Sequence, residues 1–353
     1  MEAPVSSPTQ ERLRFPVECI LEVDGKEINA FYPYLQDVQV EMSRKSATTA
    51  TLTLDSLRRE DGSWTVQDAG IFLPWKTLKI KACFGDTTQE VMRGFIREVR
   101  VEYPQPMHQA KVTITGQDES MLLDRAHERR ALSSSAHPAT DGDIARNIAR
   151  EHRLTPMVEP GLSPGTLNYS GTPIRLLQQR AEANGFELFV REGSLYFRPP
   201  QLSGDPQPTI MVYGGNATNC TRFSANFDGH KPDRVTVMRA ATGNDTNRQS
   251  LASNLPLMGT TPATSAHLGL PAFEWFMEQP TGATQGEVES RARAAANENA
   301  WKVQAEGELD GARLARGGAV DGASRSRVPR PEPQVGDCRV GDEIGRASCR
   351  ERV

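Results

Sequence analysis

Histidine and cysteine are the side chains best suited to nucleophilic catalysis or metal binding, and in this sequence neither type is grouped. Two histidines stand next to a glutamate, in AHERRAL and REHRL, but neither stretch has the HExxH spacing that places two zinc ligands on one helix face. The five cysteines contain no CxxC pair, so the sequence predicts neither a zinc site nor a disulfide framework, and reduced thiols are expected. The residues concerned are His108, His127, His137, His152, His230, His267, Cys19, Cys83, Cys220, Cys338 and Cys349.

Other catalytic motifs are also missing from the sequence. It contains no GxSxG nucleophile elbow, no GxxxxGKS/T phosphate loop and no GxGxxG dinucleotide fingerprint. His152 follows a predicted helix and is expected to cap it or to face solvent, the alternative being a catalytic base or a metal ligand. We therefore assign no catalytic residue, no cofactor-binding residue and no metal ligand, and we expect a protein that is not an enzyme.

Two further patterns have ordinary explanations. The basic run RAHERRAL is interpreted as the solvated face of a helix, and contact with an acidic partner is the alternative. Glycosylation sequons occur at Asn168, Asn216, Asn219 and Asn244, but the first residues show no basic stretch followed by an apolar one. Without a visible secretory signal, we interpret the sequons as chance matches and expect the chain to be made in the cytoplasm.

The composition limits the class of protein. A chain of 353 residues is long enough for two or three domains, and a formal net charge of -4 argues against a protein whose main task is binding nucleic acid. The 29 glycines and 24 prolines predict many turns and short elements, which favours a β-rich architecture. No apolar run approaches the ~18 residues that a membrane span needs.

Short alternating runs dominate residues 16–126, after a flexible tail predicted for residues 1–15. Apolar residues recur at every second position in six runs, which is typical of strands with one buried face. We expect a small antiparallel barrel or sandwich, with Gly94 marking a bend or bulge in a long strand and a short helix around Met121–Leu123 leaving the sheet. The alternating positions are Val17, Cys19, Leu21, Val38, Val40, Met42, Leu52, Leu54, Leu78, Ile80, Ala82, Val112 and Ile114.

Residues 127–205 are predicted to form a small α/β domain, here called the insert, with two helices and a hairpin. Thr140 and Asp143 form a capping signature before a helix that carries Ile144 and Ile148 on one face. Thr172 is expected to cap a second helix, which starts at Pro173, buries Ile174, Leu177 and Ala181 and stops at Asn184–Gly185. A hairpin follows through Phe186, Leu188 and Val190. Because its core is small, we expect the insert to pack against its neighbours.

Residues 206–342 are predicted to form a second β segment, which is incomplete. Strands resume after a proline-rich linker, then a long loop covers residues 242–271, a helix covers residues 285–299, and a strand runs through Trp301, Val303 and Ala305. The predicted fold class is mainly β with an α+β insert. Two antiparallel, barrel-like β domains flank the small helix–hairpin domain.

The last eleven residues, EIGRASCRERV at 343–353, resemble the translation of a common sequencing adapter. We therefore set them aside before considering the fold, and we expect that the natural chain continued past Asp342. The preceding stretch, from Gly317 to Asp342, is interpreted either as a real loop or as damaged sequence.

Five stretches together resemble the phage late control gene D family of tail baseplate hub proteins. They are RGFIREVRVEY, KVTITGQDESMLLDR, DIARNIAREHRLTP, PIRLLQQRAEANGFELFVREGSLYFRPP and DRVTVMRA. This family is similar to the N-terminal half of the valine–glycine-repeat spike proteins of type VI secretion systems, and to hubs of extracellular contractile injection particles. The resemblance covers residues 16–310 and is strongest at residues 172–200.

The resemblance implies a structural role without cofactors. Such hubs are homotrimers in which each chain supplies two similar β domains, so that three chains present six domains to a hexameric inner tube and a threefold face to a spike. The implied partners are the tube protein, the spike protein and other baseplate components, in a virion tail or injection particle. A single sheet that runs through both β domains would argue against this geometry.

Two other functions are kept as alternatives. The first is a tail-associated peptidoglycan hydrolase whose catalytic part is lost at the C-terminus, and the second is a binding module for cell-wall carbohydrate. The sequence leaves open whether the particle is a phage, a secretion system or an extracellular device.

Overall fold

The computed structural model describes residues 17–84, 87–104, 109–201, 212, 220–239, 248–255, 264–265, 269–279, 285–310, 334–340 and 346–352. Several predicted elements lie outside these residues. They are the flexible tail at 1–15, the strand expected at 209–215 after the proline-rich linker (apart from Val212), and much of the loop at 242–271. Of that loop, residues 248–252 form a strand instead. Three sequons, at Asn216, Asn219 and Asn244, also lie outside the described residues.

The first β segment is a run of antiparallel strands joined by short 3₁₀ helices, as the alternating pattern predicts. The 3₁₀ helices are Asn29–Tyr34, Gln67–Ala69 and Glu119–Asp124, and the last of these is the short helix expected after the sheet. The strands are β1 (Val17–Val23), β2 (Lys26–Glu27), β3 (Leu35–Met42), β4 (Thr49–Leu57), β5 (Thr77–Phe84), β6 (Thr87–Glu102) and β7 (Gln109–Asp118).

The core of this segment consists of the alternating apolar positions. Leu52, Leu54, Leu78 and Ile114 are fully buried, and one shared cluster holds them together. Each such side chain stabilises the fold by roughly 1.5–3 kcal/mol. The sequence period therefore determined which face of each strand is buried.

Gly94 is required for a close backbone approach and not for a bulge. The register of β6 shifts between Glu90 and Met92 and again between Ile96 and Glu98, on either side of the glycine. A Cβ atom at Gly94 would lie 1.9 Å from the carbonyl oxygen of Gln117 on β7. The predicted irregularity thus lies three residues to either side of Gly94 and not at the glycine itself, whose position must lack a side chain because β7 passes so close.

The insert contains two small sheets and two helices. β9 and β12 are parallel, whereas the other strand pairs in the insert are antiparallel. The strand orders are β10-β8 and β11-β12-β9. The elements are β8 (Glu128–Ser133), α1 (Asp141–Glu151), β9 (Thr155–Val158), β10 (Leu167–Gly171), α2 (Pro173–Asn184), β11 (Glu187–Arg191) and β12 (Ser194–Arg198).

The helix ends largely follow the sequence signals. Thr140 and Asp143 form a reciprocal capping box at the start of α1. Pro173 begins α2, and Gly185 ends it with φ 68°, in the left-handed region that favours glycine. The prediction that Thr172 caps α2 with its side chain is wrong. The Thr172 side chain is buried and makes no capping bond, and the carbonyl oxygen of Thr172 accepts hydrogen bonds from Leu176 N–H and the Tyr169 hydroxyl.

The basic run RAHERRAL is not a helix face. Its residues from Glu128 onwards form β8, which pairs with β10. Side chains along β8 alternate between partly buried and exposed, which is the period of a strand rather than of a helix. The prediction failed because a short strand of charged residues carries almost no apolar signal.

The second β segment pairs a small sheet with one helix. Sheet β15-β14-β16 packs against α3 through Val235, Val237, Val288 and Ala292, and α3 has the predicted bounds. The elements are β13 (Cys220–Phe227), β14 (Arg234–Arg239), β15 (Arg248–Ala252), β16 (Glu274–Gln279), α3 (Gln285–Asn299), β17 (Val303–Asp310), β18 (Gln334–Val340) and β19 (Arg346–Arg352).

The fold is mainly β with an α+β insert, as predicted. The largest sheet has the order β13-β17-β19-β18-β3-β4-β7-β6-β5-β1-β2 and, among the described strands, remains open. Strands of both β segments therefore share one ladder, through β18 and β19, whereas we expected separate units. All of β19 belongs to the stretch 343–353, for which an adapter origin is predicted, and that origin stays a prediction.

Asp118 fixes the turn between β3 and β4, residues 43–48, to the end of β7. Its Oδ2 accepts a hydrogen bond from Thr48 N–H at 2.6 Å, and its Oδ1 accepts one from Ser120 N–H at 3.0 Å. Burial raises the pKa of Asp118 to about 6, although the hydrogen bonds from Ser120 and Thr48 oppose that shift. The carboxyl group thus joins a turn, a strand end and a 3₁₀ helix.

We predict that Gly94→Ala destabilises the protein by about 1–3 kcal/mol or more, because the new methyl group overlaps backbone atoms that cannot move alone. The measurement is the midpoint of urea unfolding. Gly286→Ala is the matched control, since a Cβ at Gly286 has no neighbouring atom within 4 Å. Equal midpoints for the two variants would show that β6 and β7 are not in such close contact.

A second prediction concerns pH. Because the folded-state pKa of Asp118 is raised above 3.8 to about 6, the folded state retains this proton longer than the unfolded chain does. The resulting stability is fully present below pH ~4 and is lost as pH rises through ~6, by about 3 kcal/mol. Unfolding measured between these pH values should show this slope.

The Asp118→Asn variant should show a smaller slope, because the titrating group is gone. Asp124→Asn, in the exposed part of the same 3₁₀ helix, should retain the slope. An NMR titration that gives the Asp118 carboxyl carbon a pKa below 4 would contradict the prediction.

Candidate functional site

The histidines and cysteines form no metal-binding cluster in the part of the chain that the structure describes, although Cys338 and Cys349 occupy opposite positions on β18 and β19. There, no group of three or more His, Cys, Asp or Glu side chains is arranged to hold a metal ion. His152 is the C-cap residue of α1 and is partly buried, in agreement with the prediction, while His108 and His267 lie outside the described residues. Burial and the neighbouring Cys83 raise the pKa of the Cys19 thiol to about 12, so it is a poor nucleophile.

The densest set of polar contacts lies between the three parts of the chain, and we treat it as the candidate functional region. It begins at the turn 43–48. Arg44 forms an ion pair with Glu187 on β11, whose side chain is 4% exposed. The neighbouring Lys45 Nζ lies 2.5 Å from Glu298 Oε2 on α3. One turn of the first β segment therefore contacts both the insert and the second β segment.

A buried cluster joins the three helices. Arg180 on α2 binds Asp141 with two hydrogen bonds, Nε–Oδ1 at 2.7 Å and Nη2–Oδ2 at 2.9 Å, and its Nη2 also lies 3.1 Å from Glu287 Oε1 on α3. Asn184 Nδ2 donates to Asp141 Oδ2 at 2.7 Å. Burial opposes the charge of Arg180, but the bonds to Asp141 and Glu287 outweigh it and raise the pKa of Arg180.

Helices α2 and α3 also touch closely at Gly185. A Cβ atom there would lie 2.9 Å from the Cβ of Ala294. Gly185 is thus needed twice, for its left-handed backbone and for the approach of α3. Small residues at such a crossing let two helices come near each other without a side chain between them.

The insert contacts the first β segment at the hairpin turn as well. Gly193 N–H donates to Glu119 Oε2 at 2.8 Å, and Arg93 Nε lies 3.2 Å from Glu119 Oε1. Burial raises the pKa of Glu119, while the charge of Arg93 lowers it. Glu119 therefore links β6 and the 3₁₀ helix after β7 with the tip of the β11–β12 hairpin.

A cleft of about 160 Å³ lies beside this junction. Its walls come from the turn at residues 45–47, from Ile174, Arg175 and Gln178 on α2, and from residues 188–190 of β11. The cleft therefore has one apolar wall and a charged rim, and a strand edge forms part of its lining.

Apolar side chains are exposed on both β segments. In the second segment Phe227 is 58% exposed and Trp275 is 47% exposed. In the first segment Leu73 is 48% and Tyr103 is 56% exposed. Exposed aromatic residues of this kind are enriched at protein–protein interfaces, so both segments carry surface suited to partners.

Trp75, 43% exposed, is held in an unusual conformation. Its φ of 72° lies in the left-handed region, which is strained for a bulky side chain. Trp75 N–H donates to Ile96 O at 2.7 Å, and the Arg125 guanidinium lies 4.5 Å from the indole ring centroid. The surrounding structure thus fixes an exposed aromatic ring two residues before the start of β5.

This junction could not be predicted from the sequence. Arg44 and Lys45 look like ordinary surface charges in a turn, and Glu287 and Glu298 look like the solvated side of a helix. Their partners lie far along the chain, so no spacing rule connects them. Within the described residues, no helix is both long and apolar enough to cross a bilayer.

Solved structures with this fold include two bacterial tail proteins. The 43 kDa tail protein of prophage MuSo2 from Shewanella oneidensis superposes with a TM-score of 0.68, at 14% identity, over 96% of this chain and 98% of that chain. The tail protein from Neisseria meningitidis MC58 gives the same TM-score at 12% identity, over 96% and 97% of the two chains.

A third similar structure is the E. coli c3393 protein, described as a component of the type VI secretion system with structural similarity to the T4 bacteriophage tail proteins gp27 and gp5. Its TM-score is 0.54 at 10% identity, over 94% of this chain and 76% of that chain. The chain thus has the fold of phage tail and type VI secretion proteins. The resemblance noted in the sequence implied this fold. The assignment to the late control gene D family stays a prediction.

Comparison of the sequence with protein-family models identifies a family whose description differs from that of the tail proteins. A search of the curated proteins found no match. The family model described as the Alg8 N-terminal domain matches residues 15–255, which is more than half of the chain. The match extends from the first β segment through the insert into the second β segment, so the chain belongs to the Alg8 N-terminal domain family.

Proposed function

We propose that this chain is a structural hub subunit of a phage tail or contractile injection apparatus, acting through contacts and not through catalysis. The observation that carries the proposal is the superposition on two tail proteins over nearly the whole of both chains. Because the similarity covers nearly the whole of both chains, it is not limited to one small domain that many unrelated proteins share. Because identity is low, the similarity supports the fold, and the function is our inference from it.

The proposed assembly is a homotrimeric ring. In a closed ring each subunit uses two different surfaces, one for the preceding copy and one for the next. The chain offers separate exposed apolar surfaces on its two β segments, including Phe227 and Trp275 on one and Leu73 and Tyr103 on the other. Contact between such surfaces of neighbouring copies would bury them.

The proposed partners are a hexameric inner tube on one face and a trimeric spike on the other, together with other baseplate components. Three chains with two β segments each would present six units to the tube. The similarity to a type VI secretion component and to prophage tail proteins fits both kinds of particle. The proposed location is the cytoplasm during assembly, then the particle.

The contacts at the junction support this role. A ring of six similar units requires the two β segments of each chain to keep a fixed orientation. Arg44–Glu187, Lys45–Glu298 and the Arg180 cluster hold the three parts of the chain together. The shared ladder through β18 and β19 weakens the premise of two separate units, so the assembly state is the decisive measurement.

We predict that the full chain forms trimers at about 10 μM, with a mass three times its 38.8 kDa. Analytical ultracentrifugation or native mass spectrometry measures this directly. Phe227→Asp should shift the population towards monomers, because a charge would be buried at the interface. Met157→Asp, at an exposed position in the insert, is the control and should leave the trimer intact. A monomer at this concentration that also fails to bind tube and spike proteins would overturn the proposal.

The next prediction tests the junction. Glu287→Ala removes one carboxylate from Arg180 and should release α3, lowering stability by about 1–3 kcal/mol. Hydrogen–deuterium exchange should become faster in peptides from residues 285–299 and stay unchanged in β4 and β7. Glu182→Ala, at an exposed position on α2, should change neither. Unchanged exchange of α3 in the Glu287 variant would show that this cluster does not hold it.

A further inference from the structure

We propose that the cleft beside β11 binds an extended, acidic peptide segment of a partner protein, which adds to β11 as a further strand. β11 is an outer strand of its three-stranded sheet, because the order is β11-β12-β9. Main-chain groups on such an edge pair readily with another extended chain. This inference does not depend on the proposed trimer.

The hairpin register shows which groups face the cleft. The turn between β11 and β12 has two residues, Glu192 and Gly193, both with positive φ (49° and 74°). In such a hairpin the flanking pair, Arg191 and Ser194, is hydrogen-bonded, and bonded and non-bonded pairs then alternate. The backbone N–H and C=O groups of Leu188 and Val190 therefore point away from β12.

The other edge of the hairpin follows the same rule and has its partners. Phe197 on β12 pairs opposite Leu188, so its main chain also points outward. There, Phe197 O accepts a bond from Glu159 N–H at 2.9 Å, after β9. Nearby, Gly193 O accepts one from Thr155 N–H at 2.8 Å. One edge of the hairpin is thus paired by β9.

The edge at β11 is buried but lacks such a partner. Leu188 and Val190 are only 6% and 3% exposed. Among the described residues, no backbone or side-chain group forms a hydrogen bond with their outward main-chain groups. Buried main-chain groups in native proteins are almost always paired, so an edge of this kind is suited to a strand from another molecule.

The cleft has room for a short stretch of extended chain. Its volume of about 160 Å³ corresponds to roughly ten water positions. Residues 188–190 span ~7 Å along the strand at ~3.3 Å per residue, so two or three partner residues fit alongside. The outward N–H and C=O groups of β11 recur at every second residue, and an extended peptide carries complementary groups at the same spacing. A carbohydrate does not, so the edge favours a peptide ligand.

The charges at the rim favour an acidic peptide. Arg175 on α2 is exposed and, among the described residues, has no ion-pair partner. Lys45 also lines the cleft, but its charge is paired with Glu298, and Asp124 is the single carboxylate of the lining. Arg175 is therefore the cation at the rim that is available to an acidic ligand. Ile174 is partly buried there and offers an apolar surface. A peptide that alternates small apolar and acidic side chains matches these walls.

The probes are blocked, fluorescein-labelled seven-residue peptides in which valine alternates with aspartate, lysine or serine. Fluorescence anisotropy with the full chain should show that the aspartate peptide binds most tightly. Arg175→Glu should weaken its binding about fivefold, the effect expected of one rim charge. Arg150→Glu, on an exposed position of α1, is the control and should not change it.

N-methylation of the peptide tests strand addition itself. Methyl groups on alternate amides should abolish binding, because only every second N–H faces β11, and methyl groups on the intervening amides should be tolerated. The amides of Leu188 and Val190 should exchange at least tenfold more slowly when the peptide is bound. The proposal is overturned if no peptide binds at about 1 mM, if N-methylation has no alternating effect, or if these two amides are unaffected.

Discussion

The burial of one guanidinium group is the constraint on which the arrangement of this chain depends. Arg180 is 7% exposed, and its charge is balanced by Asp141 from α1 and Glu287 from α3. A buried cation without both partners would be strongly unfavourable, so the three helices cannot move apart separately. The close contact between Gly185 and Ala294 allows α3 to lie near enough for this bond. A polar cluster thus fixes where the second β segment sits against the insert.

The first β segment contacts the other two parts of the chain through a short turn, residues 43–48, which Asp118 holds in place. Asp118 bonds Thr48 N–H, which holds the turn 43–48, and the turn presents Arg44 and Lys45 to the other parts of the chain. The exposed Lys45–Glu298 pair contributes little by itself, since surface ion pairs are worth at most about 1 kcal/mol. The largely buried pair of Arg44 with Glu187 is more restrictive. Orientation therefore depends on a few desolvated charges, together with Leu123, which lies in the apolar core of the insert.

The sequence predicted local structure better than contacts between distant parts. The alternation at Leu52 and Leu54, the Thr140 capping box and the bounds of α3 follow from rules that act within a few residues. β8 was not predicted because most of its residues are polar or charged, so its sequence lacks the alternation of apolar and polar residues that indicates a strand. The junction could not be predicted, because Arg44 and Glu187 are 143 positions apart (187 minus 44) and each is an ordinary charged residue on its own. The tail-protein fold persists at 14% identity for the same reason, since patterns rather than particular residues specify its strands.

A subunit that acts by contact must retain surfaces that are unsatisfied while it is alone. In the Arg180 cluster the buried charges are paired with each other. The surface is different, because Phe227 and Trp275 stay exposed. The outer edge of β11 is buried within this chain, but its main-chain groups have no partners among the described residues. Exposed aromatic rings and open strand edges both promote association. This contrast between a paired junction and unpaired edges fits the proposed role of the chain as a subunit of a larger assembly.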